Sequence, residues 1–257
     1  MRKYLLLTMA LAGLIAVSVA SVATAGGSTE EFQIGTLKFK GGGTFTPKKL
    51  SKTKQTPIAL SVEGKISTTD GSHPPPLKEA IIETDKNGAV NVKGYPTCKS
   101  GELQSRDSKA ALKACKPALI GEGKTDVAIA FPEQPDIIAH SKLLVFNGGL
   151  QGGVTTLYIH AYITLPVPAA IVTTVKITKV HNGRYGLKSV ATIPKIAGEG
   201  AITSFNLKID KKFTYKGKKV SVLSAKCPDG RLQAHATAKF ANGVSGSIEF
   251  VRPCTGT

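Results

Sequence analysis

The chain has 257 residues, with 34 lysines and arginines against 17 aspartates and glutamates, so its formal net charge is +17 at pH 7. It is rich in glycine and β-branched residues and has no long helical pattern, which excludes a mainly helical fold. It contains four cysteines, an even number, and no tryptophan, which disfavours the flat aromatic platforms of many carbohydrate-binding proteins.

The N-terminal segment predicts a signal peptide over residues 1–25. Arg2 and Lys3 form a short positive region, residues 4–22 are mostly apolar, and residues 23–25 (Ala-Thr-Ala) are a small-x-small cleavage site. We expect cleavage there, which leaves a mature protein that is secreted or extracytoplasmic and has no transmembrane span. An uncleaved membrane anchor is the alternative, because the apolar stretch is long enough to cross a bilayer.

Short apolar and β-branched runs recur along the mature chain and predict about a dozen strands. They include residues 33–40, 58–67, 119–131, 142–146, 156–165, 169–180, 188–194, 201–209, 219–225 and 232–240. Asn-Gly at 87–88, 147–148, 182–183 and 242–243, with Asp-Gly at 70–71 and 229–230, favours the positive φ angles of tight hairpins. We expect an all-β fold, either an antiparallel β-sandwich or a partly open barrel.

The four cysteines allow three pairings, and export to an oxidising compartment favours disulfides. Pairing of sequence neighbours gives Cys98–Cys115 and Cys227–Cys254. A zinc site would need C-x-x-C pairs or nearby histidines, and a redox pair would need close spacing; the sequence has neither. We therefore predict two structural disulfides.

One short helix is predicted within the first disulfide loop. The run from Arg106 to Cys115 is rich in alanine and leucine, Ser105 is the expected N-cap, and Pro117 ends the run. The disulfide to Cys98 would hold this helix against the end of a strand.

Domain organisation rests on the segment FPEQPDI, residues 131–137. It is either a linker between two small domains or a corner between sheets. Because no long flexible linker appears, we favour one all-β domain over residues 26–257. The glycine-rich run at residues 148–153 is interpreted as a turn between strands.

Five blocks of the chain combine distinctive cysteine contexts with strand and turn patterns. They are residues 68–98, 106–124, 145–149, 157–177 and 224–230. Together they resemble a group of exported β-rich proteins of actinobacteria that have no assigned activity. The resemblance implies an exported, disulfide-bonded, β-rich protein, and it brings no activity, cofactor or site residue.

Motifs for catalysis are missing from the sequence. It has no G-x-S-x-G elbow, no H-E-x-x-H pair and no phosphate-binding loop, and its five histidines have no ligand spacing. We therefore predict a non-enzymatic protein without cofactor or metal. A secreted hydrolase is the alternative, because a Ser-His-Asp site assembles in space rather than in sequence.

A candidate ligand face lies on the strand predicted at residues 156–165. Alternation places Tyr158, His160 and Tyr162 on the face opposite Leu157 and Ile159. Two aromatic rings and an imidazole could stack on a sugar or line a pocket. The alternative is the ordinary polar face of a half-buried strand.

Two lysine clusters are the strongest functional signal. The first cluster is Lys48, Lys49, Lys52 and Lys54, and the second is Lys211, Lys212, Lys216, Lys218 and Lys219. Loop and turn positions predict that both are exposed. Positive fields of this kind attract anionic polymers and membranes, whereas solubility and protection of strand edges are the alternative roles.

The leading hypothesis is an exported, non-enzymatic protein that binds an anionic cell-envelope polymer or an anionic lipid surface through these lysines. Nucleic acid is not an expected partner in that compartment. A carrier of a lipid or another small apolar ligand, held in a cleft between sheets, is the other alternative.

Overall fold

The computed structural model describes residues 29–196 and 199–257, so the predicted signal peptide and its cleavage site lie outside the described residues. The first nine strands are β1 (Thr29–Ile34), β2 (Leu37–Thr46), β3 (Lys49–Leu50), β4 (Thr56–Pro57), β5 (Ala59–Thr68), β6 (Leu77–Asp85), β7 (Gly88–Val90), β8 (Leu119–Phe131) and β9 (Gln134–Gln151). The other ten are β10 (Val154–Ile163), β11 (Ala169–Asn182), β12 (Tyr185–Thr192), β13 (Ala201–Ile209), β14 (Lys212–Tyr215), β15 (Lys218–Ser221), β16 (Leu223–Ala225), β17 (Arg231–Phe240), β18 (Ser245–Pro253) and β19 (Thr255–Gly256).

Twelve strands form one antiparallel sheet in the order β1-β2-β5-β13-β8-β9-β10-β11-β12-β6-β17-β18. The two outermost strands, β1 and β18, pack against each other, so the sheet is nearly closed into a barrel. The all-β prediction is confirmed, and of the two architectures that the sequence left open the structure has the partly open barrel.

The long connections all leave from one end of this barrel. The ladders place Thr46 opposite Ala59 and Ile209 opposite Gly121, so these four residues lie at the same end of the barrel. The connections 47–58, 86–118 and 210–230 therefore share this end. We call it the cap end. The connections, together with the C-terminal strand β19, form three small sheets there: β4-β16-β7, β14-β15 and β3-β19.

Apolar side chains fill the space that the sheet encloses. At the cap end, Val145 and Leu157 from the wall meet Val92, Tyr95 and Val222 from the connections. Further along the barrel, two more clusters are built around Phe39 and Ile66 and around Ile129 and Ile163. Burial of these side chains is the main force that closes the sheet.

The α-helix α1 (Ser108–Cys115) follows a 3₁₀ turn (Ser100–Glu102) and precedes another (Lys116–Ala118). It begins two residues later than expected, and the predicted cap, Ser105, is wrong: the Asp107 carboxylate accepts a 2.7 Å hydrogen bond from the Ala110 amide, and Ser105 has φ +58°. No helix within the described ranges has the length and apolar character needed to cross a bilayer.

Several predicted turns and strands differ in the structure. Residues 131–137 are a hairpin between β8 and β9 within the one large sheet, not a linker. The predicted strand 33–40 is broken by a turn at Gly35, whose φ is +58°. Asn147-Gly148 lies inside β9, and the turn within 148–153 is Gly152-Gly153, at φ +56° and +79°.

Asn147 is held inside the strand by its side chain. This side chain is completely buried, and its amide donates to the Tyr95 and Pro96 carbonyls at 3.3 and 2.9 Å. These bonds tie β9 to the 86–118 connection, which explains why the dipeptide does not form a turn.

Candidate functional site

The first lysine cluster lies on the 47–58 connection at the cap end. All four of its lysines are exposed. The segment is held by backbone bonds from Lys52 N to Thr257 O at 3.0 Å and from Cys227 N to Ser51 O at 2.9 Å. The Cys227–Cys254 disulfide fixes both of those partner segments. The cluster is therefore presented by an anchored loop.

Lys48 contacts two neighbouring side chains. Its Nζ lies 4.1 Å from the centroid of the Phe45 ring and donates to Thr44 Oγ1 at 3.1 Å. Partial burial, together with the nearby Arg252 guanidinium, lowers the pKa of Lys48 below its usual value.

The second lysine cluster lies on the β14–β15 hairpin, and its five lysines are also exposed. Lys216 and Gly217 form the two-residue turn, with φ +49° and +74°, as the primed hairpin turns require. Phe213 anchors the hairpin by an edge-on contact with Tyr95, with ring centroids 4.9 Å apart. Alternating residues thus hold the hairpin to the cap while its lysines face solvent.

The strand β16 connects the two lysine clusters. One of its edges pairs with β4, just after the first cluster, through Ser224 and Pro57. The hairpin closes immediately before β16, where Val222 N donates to Lys211 O at 2.9 Å. Both clusters therefore lie at the cap end and are linked through the same three-residue strand.

The predicted aromatic face on β10 is covered rather than open. His160 is completely buried, and its Nε2 lies 2.9 Å from the Arg106 carbonyl oxygen, while Tyr158 packs in the cluster beneath α1. His160 is therefore not part of an exposed binding surface. Tyr158 and Tyr162 are half-buried.

Both predicted disulfides are confirmed. Cys98 pairs with Cys115 and Cys227 with Cys254, with Cα–Cα distances of 5.5 and 6.1 Å. The two disulfides indicate an oxidising environment outside the cytoplasm. Glu102 lies near the first pair, but the two sulfurs are bonded to each other and do not form a metal site.

Three polar residues that are remote in sequence meet on the outer wall of the barrel. Asp126 Oδ1 lies 2.6 Å from His140 Nδ1, and Ser204 Oγ donates to Asp126 Oδ2 at 2.7 Å. These hydrogen bonds hold the pKa of Asp126 below its usual value. In a hydrolytic triad the serine hydroxyl is hydrogen-bonded to the histidine. Here the serine and the histidine are both hydrogen-bonded to the aspartate, so this arrangement does not activate Ser204.

Sequence reasoning missed this trio because its members come from three strands, β8, β9 and β13. The local sequence around each residue shows only alternation. The signal lies in the strand register, which the sequence does not specify.

Comparisons of the chain with protein-family models, with curated proteins and with solved structures find no match.

Proposed function

We propose that this is an exported, non-enzymatic protein that binds anionic cell-envelope components through the basic surface of its cap end. One observation carries the proposal. Nine lysines, all exposed, lie on two anchored connections at the same end of the barrel and are linked through β16.

The anchoring favours a binding surface over a general solubility device. Lysines that only keep a protein soluble can lie on any mobile loop. Here the first loop is held by a disulfide and a parallel pair with β19, and the hairpin is held by Phe213 and Tyr95. Fixed positive charges on one end of a molecule form a directional field that attracts polyanions.

Vesicle and polymer binding at two salt concentrations tests the proposal. We expect binding to anionic vesicles or to purified wall polymer, little binding to neutral vesicles, and a steep loss at high salt, because exposed charges are screened over about 8 Å at physiological ionic strength. Reversing the charge of Lys211, Lys212, Lys218 and Lys219 should weaken binding about tenfold or more.

A matched variant separates position from net charge. Lys78, Lys176, Lys179 and Lys195 are exposed and lie outside both clusters, so reversing these four lysines changes the net charge equally. This control should retain most of the binding. Equal binding to neutral and anionic surfaces, or the same loss in both variants, would contradict the proposal.

A further inference from the structure

The outer wall of the barrel carries a second basic surface that is not visible as a cluster in the sequence. Lys40 on β2 lies directly opposite Lys65 on β5, and Lys124 on β8 lies directly opposite Lys142 on β9. Direct partners in an antiparallel ladder point to the same face, and all four residues are exposed. We call these four residues the lysine wall.

The lysine wall has carboxylates on the same face but does not pair with them. Glu63 lies two residues from Lys65, and Asp126 lies two residues from Lys124. None of the four makes an ion pair with a carboxylate of the described residues. Glu31 lies opposite Lys40 on β1, but its Oε2 is 3.4 Å from Lys38 Nζ. Like charges directly opposite each other destabilise a sheet, so a bound anion between the members of each pair would relieve this repulsion.

The register fixes the separation of the two pairs. The strand order β2-β5-β13-β8-β9 puts the pair centres three strand intervals apart. Lys65 aligns with Ser204, whereas Lys124 aligns with Asn206, so the pairs are also offset by two residues along the strands. Strand spacing and rise then give about 16 Å between the pair centres.

A cavity of about 240 Å³ lies on β2, β5 and β13, beside the first pair and on its cap-end side. Its Glu63–Asn206 row borders the second pair, because Asn206 lies directly opposite Lys124. Six of its lining residues belong to the rows whose side chains face outward: Gly42, Thr44, Ser61, Glu63, Asn206 and Lys208. Gly42 has no side chain to fill the groove. The Glu63 carboxylate accepts hydrogen bonds, and the Asn206 amide and the hydroxyls both donate and accept, which suits an uncharged hydroxylated group.

We propose that the lysine wall binds a phosphodiester polymer of hydroxylated units, a polyol or sugar phosphate. One phosphate lies between Lys40 and Lys65, and a second, more than one repeat unit further along the polymer, lies between Lys124 and Lys142. A hydroxylated unit of the intervening chain occupies the groove and donates to Glu63. A lysine ammonium group binds phosphate as a point charge, and the two opposed ammonium groups of a pair can both contact one phosphate. The groove adjoins the cap end, where Lys48 donates to Thr44, but the lysine wall shares no residue with the two cap-end clusters and goes beyond the proposed function.

Titration calorimetry with poly(glycerol phosphate) tests the lysine wall. The variant K40Q/K124Q removes one lysine from each pair and should weaken binding about tenfold or more. It should fold with an unchanged or higher Tm at low salt, because it removes repulsion. The control K176Q/K179Q removes the same charge from β11 and should keep its affinity; no loss in K40Q/K124Q, or equal loss in the control, overturns the site.

The cap-end charge-reversal variant distinguishes this site from the proposed function. Loss of polymer binding only in the cap-end variant overturns the lysine wall and supports the cap end. Loss only in K40Q/K124Q supports the lysine wall and contradicts the cap end as the surface that binds this polymer. Loss in both variants supports both surfaces.

The variant E63Q tests the hydroxylated unit. It should weaken binding of poly(glycerol phosphate), because it removes the charged acceptor for a hydroxyl group. It should strengthen binding of inorganic polyphosphate, which has no such hydroxyl and is repelled by the carboxylate. Stronger binding of both polymers would overturn the assignment of a hydroxylated ligand.

Phosphatidylglycerol vesicles present the same glycerol phosphate group on a membrane. If K40Q/K124Q loses polymer binding and retains vesicle binding, the ligand is the polymer, as proposed. If the variant loses only vesicle binding, the phosphate comes from a lipid headgroup, and the proposal of a polymer ligand is overturned.

Discussion

His160 shows how a residue that looks functional in the sequence becomes structural in the fold. It lies on β10 beneath the loop that leads into α1, where its Nε2 meets the Arg106 carbonyl and its Nδ1 is buried with no hydrogen-bond partner among the described residues. Burial lowers the pKa of His160 below its ordinary 6.5, only partly opposed by the Arg106 carbonyl and the Asp107 charge. The imidazole is therefore neutral, with the proton on Nε2.

This burial predicts a pH dependence of stability. The folded-state pKa is depressed, so the contribution of His160 is fully present above pH 6.5 and is lost as the pH falls from 6.5 through the folded-state value. We expect the free energy of unfolding in urea to fall over this range, above the pH at which carboxylates titrate. H160Q should flatten the profile because its amide donates to Arg106 without titrating, whereas replacing the exposed His181 by glutamine should leave it unchanged.

The lysines of the wall illustrate what residue patterns alone miss. The lysines of the two cap-end clusters are close in sequence. They are exposed as predicted, although four of them lie on the short strands β3, β14 and β15 and not in loops. Lys40, Lys65, Lys124 and Lys142 are spread over about a hundred residues, each in an ordinary alternating strand. Only the ladder register brings them together.

At the scale of elements, α1 is a short helix that depends on its ends. It spans eight residues, and Asp107 and the Cys98–Cys115 disulfide fix its two termini. An isolated helix of this length is unstable in water. Its presence was predictable from composition, but its cap was not, because Ser105 and Asp107 are both good N-cap residues.

Loss of the cap should destabilise the protein. D107A removes the acceptor for the Ala110 amide, so we expect a loss of about 1 kcal/mol in the free energy of unfolding. D107S keeps a side-chain acceptor and should recover most of that loss. Urea denaturation followed by circular dichroism measures both, and an unchanged midpoint for D107A would show that the disulfide alone holds the helix.

Loss of the disulfide should cost more than loss of the cap. C98S/C115S opens the covalent loop and should reduce the free energy of unfolding by about 2–5 kcal/mol. Denaturation of the oxidised protein and the double variant under the same conditions gives the difference. A loss no larger than that of D107A would contradict the predicted role of this bridge.

At the scale of the whole molecule, the barrel is closed by side chains where no ladder joins its edges. β1 and β18 are the two ends of the strand order, and they meet through the side chains of Phe32 and Ile248. Arg252 donates to both carboxylate oxygens of Glu30, at 2.7 and 2.8 Å, in a largely buried ion pair. Alternation predicts the strands, but it does not say which strand closes the sheet.

Breaking this ion pair should weaken the closure. R252A leaves the Glu30 carboxylate poorly solvated, so we expect a loss of about 3 kcal/mol in the free energy of unfolding. A double-mutant cycle with E30Q isolates the coupling between the two side chains, which should be favourable. A coupling energy near zero would show that the apolar contacts alone hold β1 to β18.

The same closure has a consequence for how the chain reaches its native state. Glu30 and Arg252 are 222 positions apart, so their contact is among the longest-range interactions in the molecule. A chain that emerges N-terminus first can stack Phe32 of β1 on Phe39 of β2, but the β18 side of Phe32 stays uncovered until Ile248 arrives. Contacts of such high sequence separation form slowly, and an unpaired strand edge invites association with other chains in the meantime. The protein therefore remains vulnerable to aggregation until its last long strand, β18, has emerged and packed against β1.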